Sequence, residues 1–236
     1  GQLLGQFMQL SLSRHRIEIF LLVAWIVLTV LGTASEISYY LLDHKRLLGV
    51  VRQLSLAEEA NIPTWYSALV LSSCALCLAI IGLSQTPNGE GSRRHWLILS
   101  LIFLYISMDE TSVIHEMTVR PVRETFDLGG AFYYAWTLPA AVLMTIFLFS
   151  YLGFLRQLQP GSRYRFILAG LIYVGGAFGT EFIISYWWET YGDGFTTGIL
   201  NVLQESMEIA GASLFLAALI RHMARTSDEI RINLKT

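Results

Sequence analysis

Six stretches of roughly 20 mostly apolar residues, each long enough to cross the hydrocarbon core of a bilayer as a helix, run through this chain at about 17–40, 63–84, 96–118, 131–155, 164–188 and 197–221. Hydrocarbon offers no water to the backbone, so a spanning segment must bond itself, and at this length only a helix does so. The fold class expected is all-α: a polytopic integral membrane bundle of six transmembrane helices forming a single domain over 1–236. The pieces between the spans, such as SQTPNGEGSRRH and RQLQPGSR, are too short to fold as a second domain. Composition agrees: 54% of residues are hydrophobic and 14% charged, against about a quarter charged in a soluble domain. The basic residues fall in short clusters between apolar runs and form no continuous face, which argues against a nucleic-acid partner.

The distribution of Lys and Arg sets an expected orientation. One side collects Arg14, Arg16, Arg93, Arg94, Arg156, Arg163, Arg165, Arg221, Arg225, Arg231 and Lys235, and the other keeps Lys45, Arg46, Arg52, Arg120 and Arg123. The positive-inside rule then places both termini in the cytoplasm, in the inner (plasma) membrane. Tyr39, Tyr40, Trp65, Tyr66, Tyr133, Tyr134, Trp136, Tyr186, Trp187 and Trp188 lie at the expected outer ends as an interfacial belt. The first 20 residues lack a signal-peptide layout, so the first span is read as a retained anchor.

Finer features carry further expectations. The loop LLDHKRLLGVVRQLSLAEEA alternates apolar and charged residues and is read as an amphipathic helix on the outer surface, or else as a solvated connection. Pro139 is expected to kink the fourth span. Cys74 and Cys77 sit inside one apolar run and are read as packing residues, because a redox or zinc pair needs solvated thiolates.

Acids inside the spans carry the functional reading. Each costs roughly 2.5–3.5 kcal/mol to insert even on the gentler scales, yet Glu36, Asp109, Glu110, Glu116, Glu181, Glu205 and Glu208 all lie within the apolar windows, together with His115. On a continuous helix Asp109, Ser112 and Glu116 share a sector of about 60°, His115 extends it, and Glu110 points about 100° away from Asp109. Asn201, Glu205 and Glu208 form a second stripe. With the orientation above, these groups fall in the outer halves of the spans, while the inner halves WLILSLIFLYIS, FILAGLIYVGGAF and IAGASLFLAALI are uncharged.

So many carboxylates cannot all stay ionised at close range without cations or protons. Oxygen-rich donors suit one or two divalent metal ions, with Mn, Fe, Mg or Ca ahead of Zn. The expected metal ligands are Asp109, His115, Glu116, Glu181, Glu205, Glu208 and Glu36, with Glu110 and His115 as catalytic acid/base groups. The pattern partly parallels di-metal carboxylate bundles, with Glu36 and Glu181 as single donors and Glu205/Glu208 at i, i+3. Span 3 departs from it because Ser112 stands three before His115. The competing reading pairs the acids with Arg46, Arg120 or Arg123 at the outer interface. His15, His44, His95 and His222 fall at boundaries or in loops and are read as solvated.

The segments FLYISMDETSVIHE, LIYVGGAFGTEF and LQESMEIAGASLFLAALI resemble those of an uncharacterised bacterial family of multi-pass membrane proteins with a DE-x4-HE motif and late-span glutamates. The resemblance covers roughly residues 95 to 222 and implies membrane location and a helical fold, with no activity to carry over. Where that pattern doubles a Glu, this chain has Gln204 before Glu205. Ligands for bis-histidine haem, a Schiff-base lysine in a span, and the histidines of a three-histidine zinc hydrolase are lacking.

Three functions remain open at this point. The first is a metal-dependent membrane enzyme, hydrolase or oxidoreductase, acting on a lipid or amphipathic substrate at a site facing the periplasm or exterior. The second is a cation transporter or channel using the same carboxylates. The third is a noncatalytic assembly subunit or metal sensor. Membrane lipid is the expected surrounding partner, and a homo-oligomer is left open.

Overall fold

The computed structural model describes residues 13–44, 47–84 and 89–226, and all regular structure among them is helical. The principal helices are α1 (Arg14–Tyr40), α2 (Val50–Leu54), α3 (Ile62–Ser84), α4 (Arg93–Ser112), α5 (Val119–Phe126), α6 (Thr137–Gln157), α7 (Pro160–Val174), α8 (Glu181–Tyr191) and α9 (Phe195–Thr226). The residues Gly175–Thr180 continue α7 into α8 as a π-helical stretch. Five helices are long and apolar enough to cross a membrane, counting Pro160–Tyr191 as one, and a sixth is obtained if the bent pair Arg93–Ser112 and His115–Phe126 counts as one span.

Helix α9 is the centre of the bundle, packed against α1, α3 and α7, while α3 pairs with α4 along its length. The driving interaction between apolar helices in lipid is close packing assisted by hydrogen bonds between helices, and both are present. Trp25 Nε1 of α1 donates to Ser206 O (2.9 Å) and Oγ (3.0 Å), and Thr29 Oγ1 bonds Ser206 Oγ at 2.9 Å. Ser100 and Ser107 of α4 donate to the carbonyls of Ala75 (2.7 Å) and Ala68 (2.8 Å) of α3. Pinning Ser206 on α1 fixes the rotation of α9: Glu208, two residues on and about 200° around, must face the opposite side, toward α4 and α7.

One end of the bundle is clamped by ion pairs. Arg221 grips Glu18 through Nε and Nη2, both at 2.6 Å, and Arg225 Nη2 reaches both Glu90 oxygens at 2.8 and 2.9 Å. The helix ends bearing Arg14, Arg93, Arg156 and Arg163 lie at this end; Arg231, Lys235, Lys45 and Arg46 fall outside the described residues. Above the clamp sits the main core, in which Leu71, Leu78, Trp96, Ala169 and Leu219 are fully buried among Phe166, Phe215 and Leu216. Cys74 packs there as well, its thiol directed at Ala212 O at 3.7 Å, and neither it nor Cys77 is bridged.

Four local expectations are corrected. The third span is not a straight helix over 96–118: α4 stops at Ser112, Val113 adopts a left-handed conformation (φ 52°), and the chain turns by 78° into His115–Phe126. Pro139 produces no kink, because α6 begins at Thr137 and the proline lies in the first turn, where its missing N–H costs no intrahelical bond. Among the described residues the first outer loop contains a 3-10 turn at Leu47–Gly49 and the five-residue α2, not one long surface helix, before it folds onto the bundle and buries Ser55, Leu56 and Asn61. His222 is buried rather than solvated, bonded to Ser162 Oγ at 3.1 Å and lying against Trp96, and His95 stacks on Phe154 with ring centroids 5.5 Å apart.

Candidate acidic site

At the end opposite the arginine clamp, acids from several elements converge. The break after α4 is what positions the first group. Once Val113 leaves helical geometry, Asp109 is free to turn its carboxylate onto the residues beyond it: Oδ1 accepts from His115 N and Oδ2 meets His115 Nδ1, both at 2.8 Å. An ionised carboxylate accepts only, so the contact calls for a proton on Nδ1; in the neutral ring that leaves the lone pair on Nε2, the tautomer a general base requires. The His115 ring stands edge-on to Trp136, centroids 4.8 Å apart.

Glu181 opens α8 directly after the π-helical stretch. Its two oxygens are held separately, Oε1 by Trp136 Nε1 at 3.3 Å and Oε2 by Gln204 Nε2 of α9 at 3.0 Å. Gly176, within the π-helical stretch, allows this: a Cβ there would lie 2.9 Å from Met207 Cβ and 3.0 Å from Gln204 O, so only glycine seats the segment so closely on α9. Glu205 and Glu208 interact electrostatically with each other and with Glu110 and Glu181. Glu110 therefore joins the centre of the cluster instead of pointing away from it, because α4 is rotated to pack along α3. The hydroxyl of Ser67, 1% exposed on α3, lies against Glu110 yet satisfies no hydrogen bond of standard geometry.

Exposure falls with depth. Glu116 is exposed at the rim, Asp109 and His115 are partly covered, Glu110 and Glu205 retain some accessible surface, and Glu181 and Glu208 are each 7% exposed. Among the described residues no Lys or Arg forms an ion pair with any of them: Arg120 pairs with Glu124 at 2.7 Å and Arg123 lies over the Tyr133 ring at 4.3 Å. The expected pairing with Arg120 or Arg123 is thus not formed, and Arg46 lies outside the described residues. Neither is a coordination shell preformed, since among the described residues no group of three or more His, Cys, Asp or Glu side chains is close enough to hold an ion. Surface cavities of about 300 and 500 Å³ lie elsewhere, in the α3/α4 seam by Trp65 and Met108 and beside α2.

Glu36 is the one expected ligand set apart. It is buried, accepts from Ser55 Oγ at 2.7 Å, and presses its other oxygen onto Gly198; its charged neighbours are Glu58 and Asp193. Four contributors escape a reading of the sequence alone. Gln204 and Ser67 are uncharged, Trp136 reads as part of the interfacial belt, and Glu59 lies in the loop read as an amphipathic surface helix or a solvated connection. Only Gln204 left a signal, standing where the related pattern carries a glutamate.

Residues 14–223 match the family described as Domain of unknown function (DUF8692), and the chain belongs to that family. No curated protein and no solved structure matches it.

Proposed function

We propose that this chain is an integral membrane protein with both termini in the cytoplasm, whose acid cluster faces the periplasm or exterior and binds a divalent cation. On this reading it works as a metal-dependent enzyme on a lipid or other amphipathic substrate. The observation that carries it is a set of acids from α4, α8 and α9, graded from rim to interior without a basic partner among the described residues, above an apolar seal formed by Leu71, Leu78, Phe215, Leu216 and Leu219. Buried carboxylates are retained against their insertion cost where they serve a ligand or pathway, and a sealed inner half suits a binding site better than a conduit.

Glu110, Glu205 and Glu208 are the donors that would close on the ion, since Asp109 and Glu181 already spend their oxygens on His115, Trp136 and Gln204. A divalent ion would polarise the substrate or a water molecule. His115, held in one tautomer by Asp109, would take the proton, and Trp136 and Gln204 would keep Glu181 fixed while its neighbours move.

The test is Mn²⁺ binding to the purified protein in nanodiscs, by elemental analysis and calorimetry, beside Glu205→Ala/Glu208→Ala. Saturable binding lost in the double variant supports the reading; equal, negligible metal in both overturns it. Selective cation flux in proteoliposomes abolished by Glu181→Gln would replace the enzyme with a transporter.

A further inference from the structure

Helix α6 meets the rest of the bundle at its two ends. At the acid end Ala135 and Thr137 are fully buried and Trp136 bonds Glu181. At the clamp end Tyr151, Phe154 and Leu158 are buried, with Tyr151 Oη donating to His95 O at 2.9 Å and the Phe154 ring edge-on to Trp96, centroids 4.8 Å apart. Between them, over residues 138–150, no side chain is buried, and that stretch rises about 20 Å. The interruption is not a change of face. Thr137, Met144 and Tyr151 stand seven residues apart and share one stripe within about 40°. Its end members are 1% and 6% exposed, whereas Met144, with Ala141 and Phe147 beside it, is only half-buried.

A helix lying flush on its neighbours would bury that stripe throughout. Accordingly, α6 crosses no other helix as closely as α3 crosses α4 or α7 crosses α9. A methyl group added at Gly170 of α7, itself half-buried, would meet nothing within 4 Å. The middle of α6 therefore stands off the bundle at the depth of the hydrocarbon and leaves a gap behind it.

Two features specify what fits there. The α6 wall of the gap is apolar at Ala141, Met144 and Phe147, and it ends at Trp136, whose indole bonds Glu181 at 3.3 Å and whose ring meets that of His115 at 4.8 Å. A polar end above an apolar channel is the polarity of an amphiphile. The gap is also closed above and below by the contacts of α6 itself. A spanning helix of a second copy, about 10 Å across and continuous through the bilayer, cannot lie in it, whereas a flexible chain entering sideways can.

We infer that the gap behind the middle of α6 seats a fatty acyl chain that enters from the outer leaflet, with its polar head at Trp136 and His115. This deepens the proposed function by naming the substrate class, an acyl lipid, and its route. Reaction of the head at the acid cluster rests on that proposal; the seat of the chain rests on the burial pattern of α6.

The test is photo-crosslinking of the full chain in nanodiscs of phosphatidylcholine carrying a diazirine in one acyl chain, with adducts mapped by peptide mass spectrometry. Leu143 and Ile146 face outward on α6 and are labelled by bulk lipid in any case. The inference requires adducts on Met144 and Phe147 as well. These should be lost in Ala141→Trp, which fills the gap, and kept in Leu143→Trp, which adds bulk on the outer face. Moving the diazirine from the carboxyl toward the methyl end of the chain should shift adducts from Ala141 toward Phe147. Adducts confined to Leu143 and Ile146, equal labelling of Met144 in the two variants, the reversed order along α6, or dimers joined through α6 in place of lipid adducts would each overturn the inference. If Ala141→Trp does not fold, the adduct pattern of the unsubstituted protein and its shift with diazirine position still decide. No metal is needed. Adducts on Met144 without any Mn²⁺ binding would refute the proposed function and leave the acyl seat standing; Mn²⁺ binding with adducts confined to the outer face would do the reverse.

Discussion

Replacing Gly211 by alanine tests the contact on which the site's geometry depends. A Cβ at Gly211 of α9 would lie 2.5 Å from the Tyr173 backbone nitrogen and 2.7 Å from its Cα. Carbon contacts are comfortable at roughly 3.5–4.0 Å, so α7 and α9 would have to part by about 1 Å, and because the clash is with backbone no rotamer change relieves it. Overpacking of this kind costs about 1–3 kcal/mol, against a gain in helix propensity of up to about 1 kcal/mol. Gly170, also on α7, is the internal control: a methyl group added there would meet nothing within 4 Å, so Gly170→Ala should be neutral or stabilising by about 0.5–1 kcal/mol. Thermal unfolding in one detergent, followed by tryptophan fluorescence, should therefore separate the two variants by about 5 °C, with Gly211→Ala the lower. The displacement also acts at a distance. Gly176 follows Tyr173 on the same rod and seats against Gln204, so withdrawing α7 would strain the 3.0 Å bond from Gln204 to Glu181 and weaken Mn²⁺ binding. If Gly211→Ala unfolds no lower than Gly170→Ala, the close crossing of α7 and α9 is wrong, and the placement of Glu181 beside α9 goes with it.

Asp109→Asn should destabilise the break after α4 by about 1–2 kcal/mol and release the His115 tautomer, since an amide both donates and accepts. Ring ¹⁵N shifts would show the Nδ1–H form losing its dominance, and an unchanged tautomer would contradict the dyad. Glu18→Gln should lower the unfolding midpoint modestly, by the equivalent of about 1 kcal/mol, by breaking the bidentate grip of Arg221; no change would mean the clamp is not formed in the membrane. Burial pushes the Glu59 carboxyl above its ordinary range, with the like charges of Glu116 and Asp109 adding to the effect and His115 opposing it. A group raised in the folded state stabilises below its unfolded pKa and loses that contribution as pH climbs through its folded value. Glu59→Gln should thus gain in midpoint over the wild type between pH 4 and pH 7 in metal-free buffer, and a difference that shrinks over that window would refute the sign.

The bundle was legible because lipid imposes a length and an apolarity on every span. Five of the six windows correspond to unbent helices long and apolar enough to cross a membrane, with ends shifted by a few residues, and the acids at 109, 110, 181, 205 and 208 were conspicuous by their cost. The geometry around residues 109–116 was not legible, because periodicity assumes a continuous helix and nothing in DETSVIHE announces a left-handed valine. Glu36 misled for a related reason: a buried acid reads the same whether its partner is an ion or the hydroxyl of Ser55. Trp136 was missed because an interfacial tryptophan is ordinary at a membrane boundary, and only the fold shows it bonded to Glu181.

Three departures from regular backbone adjoin acidic residues, while Asp43, Leu48 and Asp127 are left-handed elsewhere. Val113 sits between Asp109 and His115, the π-helical stretch Gly175–Thr180 ends immediately before Glu181, and Ala60, left-handed, follows Glu59. Each left-handed non-glycine residue costs of order 1 kcal/mol, and π-helical turns recur at functional positions in other proteins. In a bilayer the penalty is sharper, since irregular backbone is tolerated only where it is buried in protein or faces water. A bundle under selection for stability alone would have a straight third span, a regular fifth and a neutral residue at 208. Among the described residues, irregular backbone and acids without a basic partner fall at one end of the bundle, while the other end is closed by ion pairs and an apolar core, and this asymmetry supports the acid end as the site proposed above.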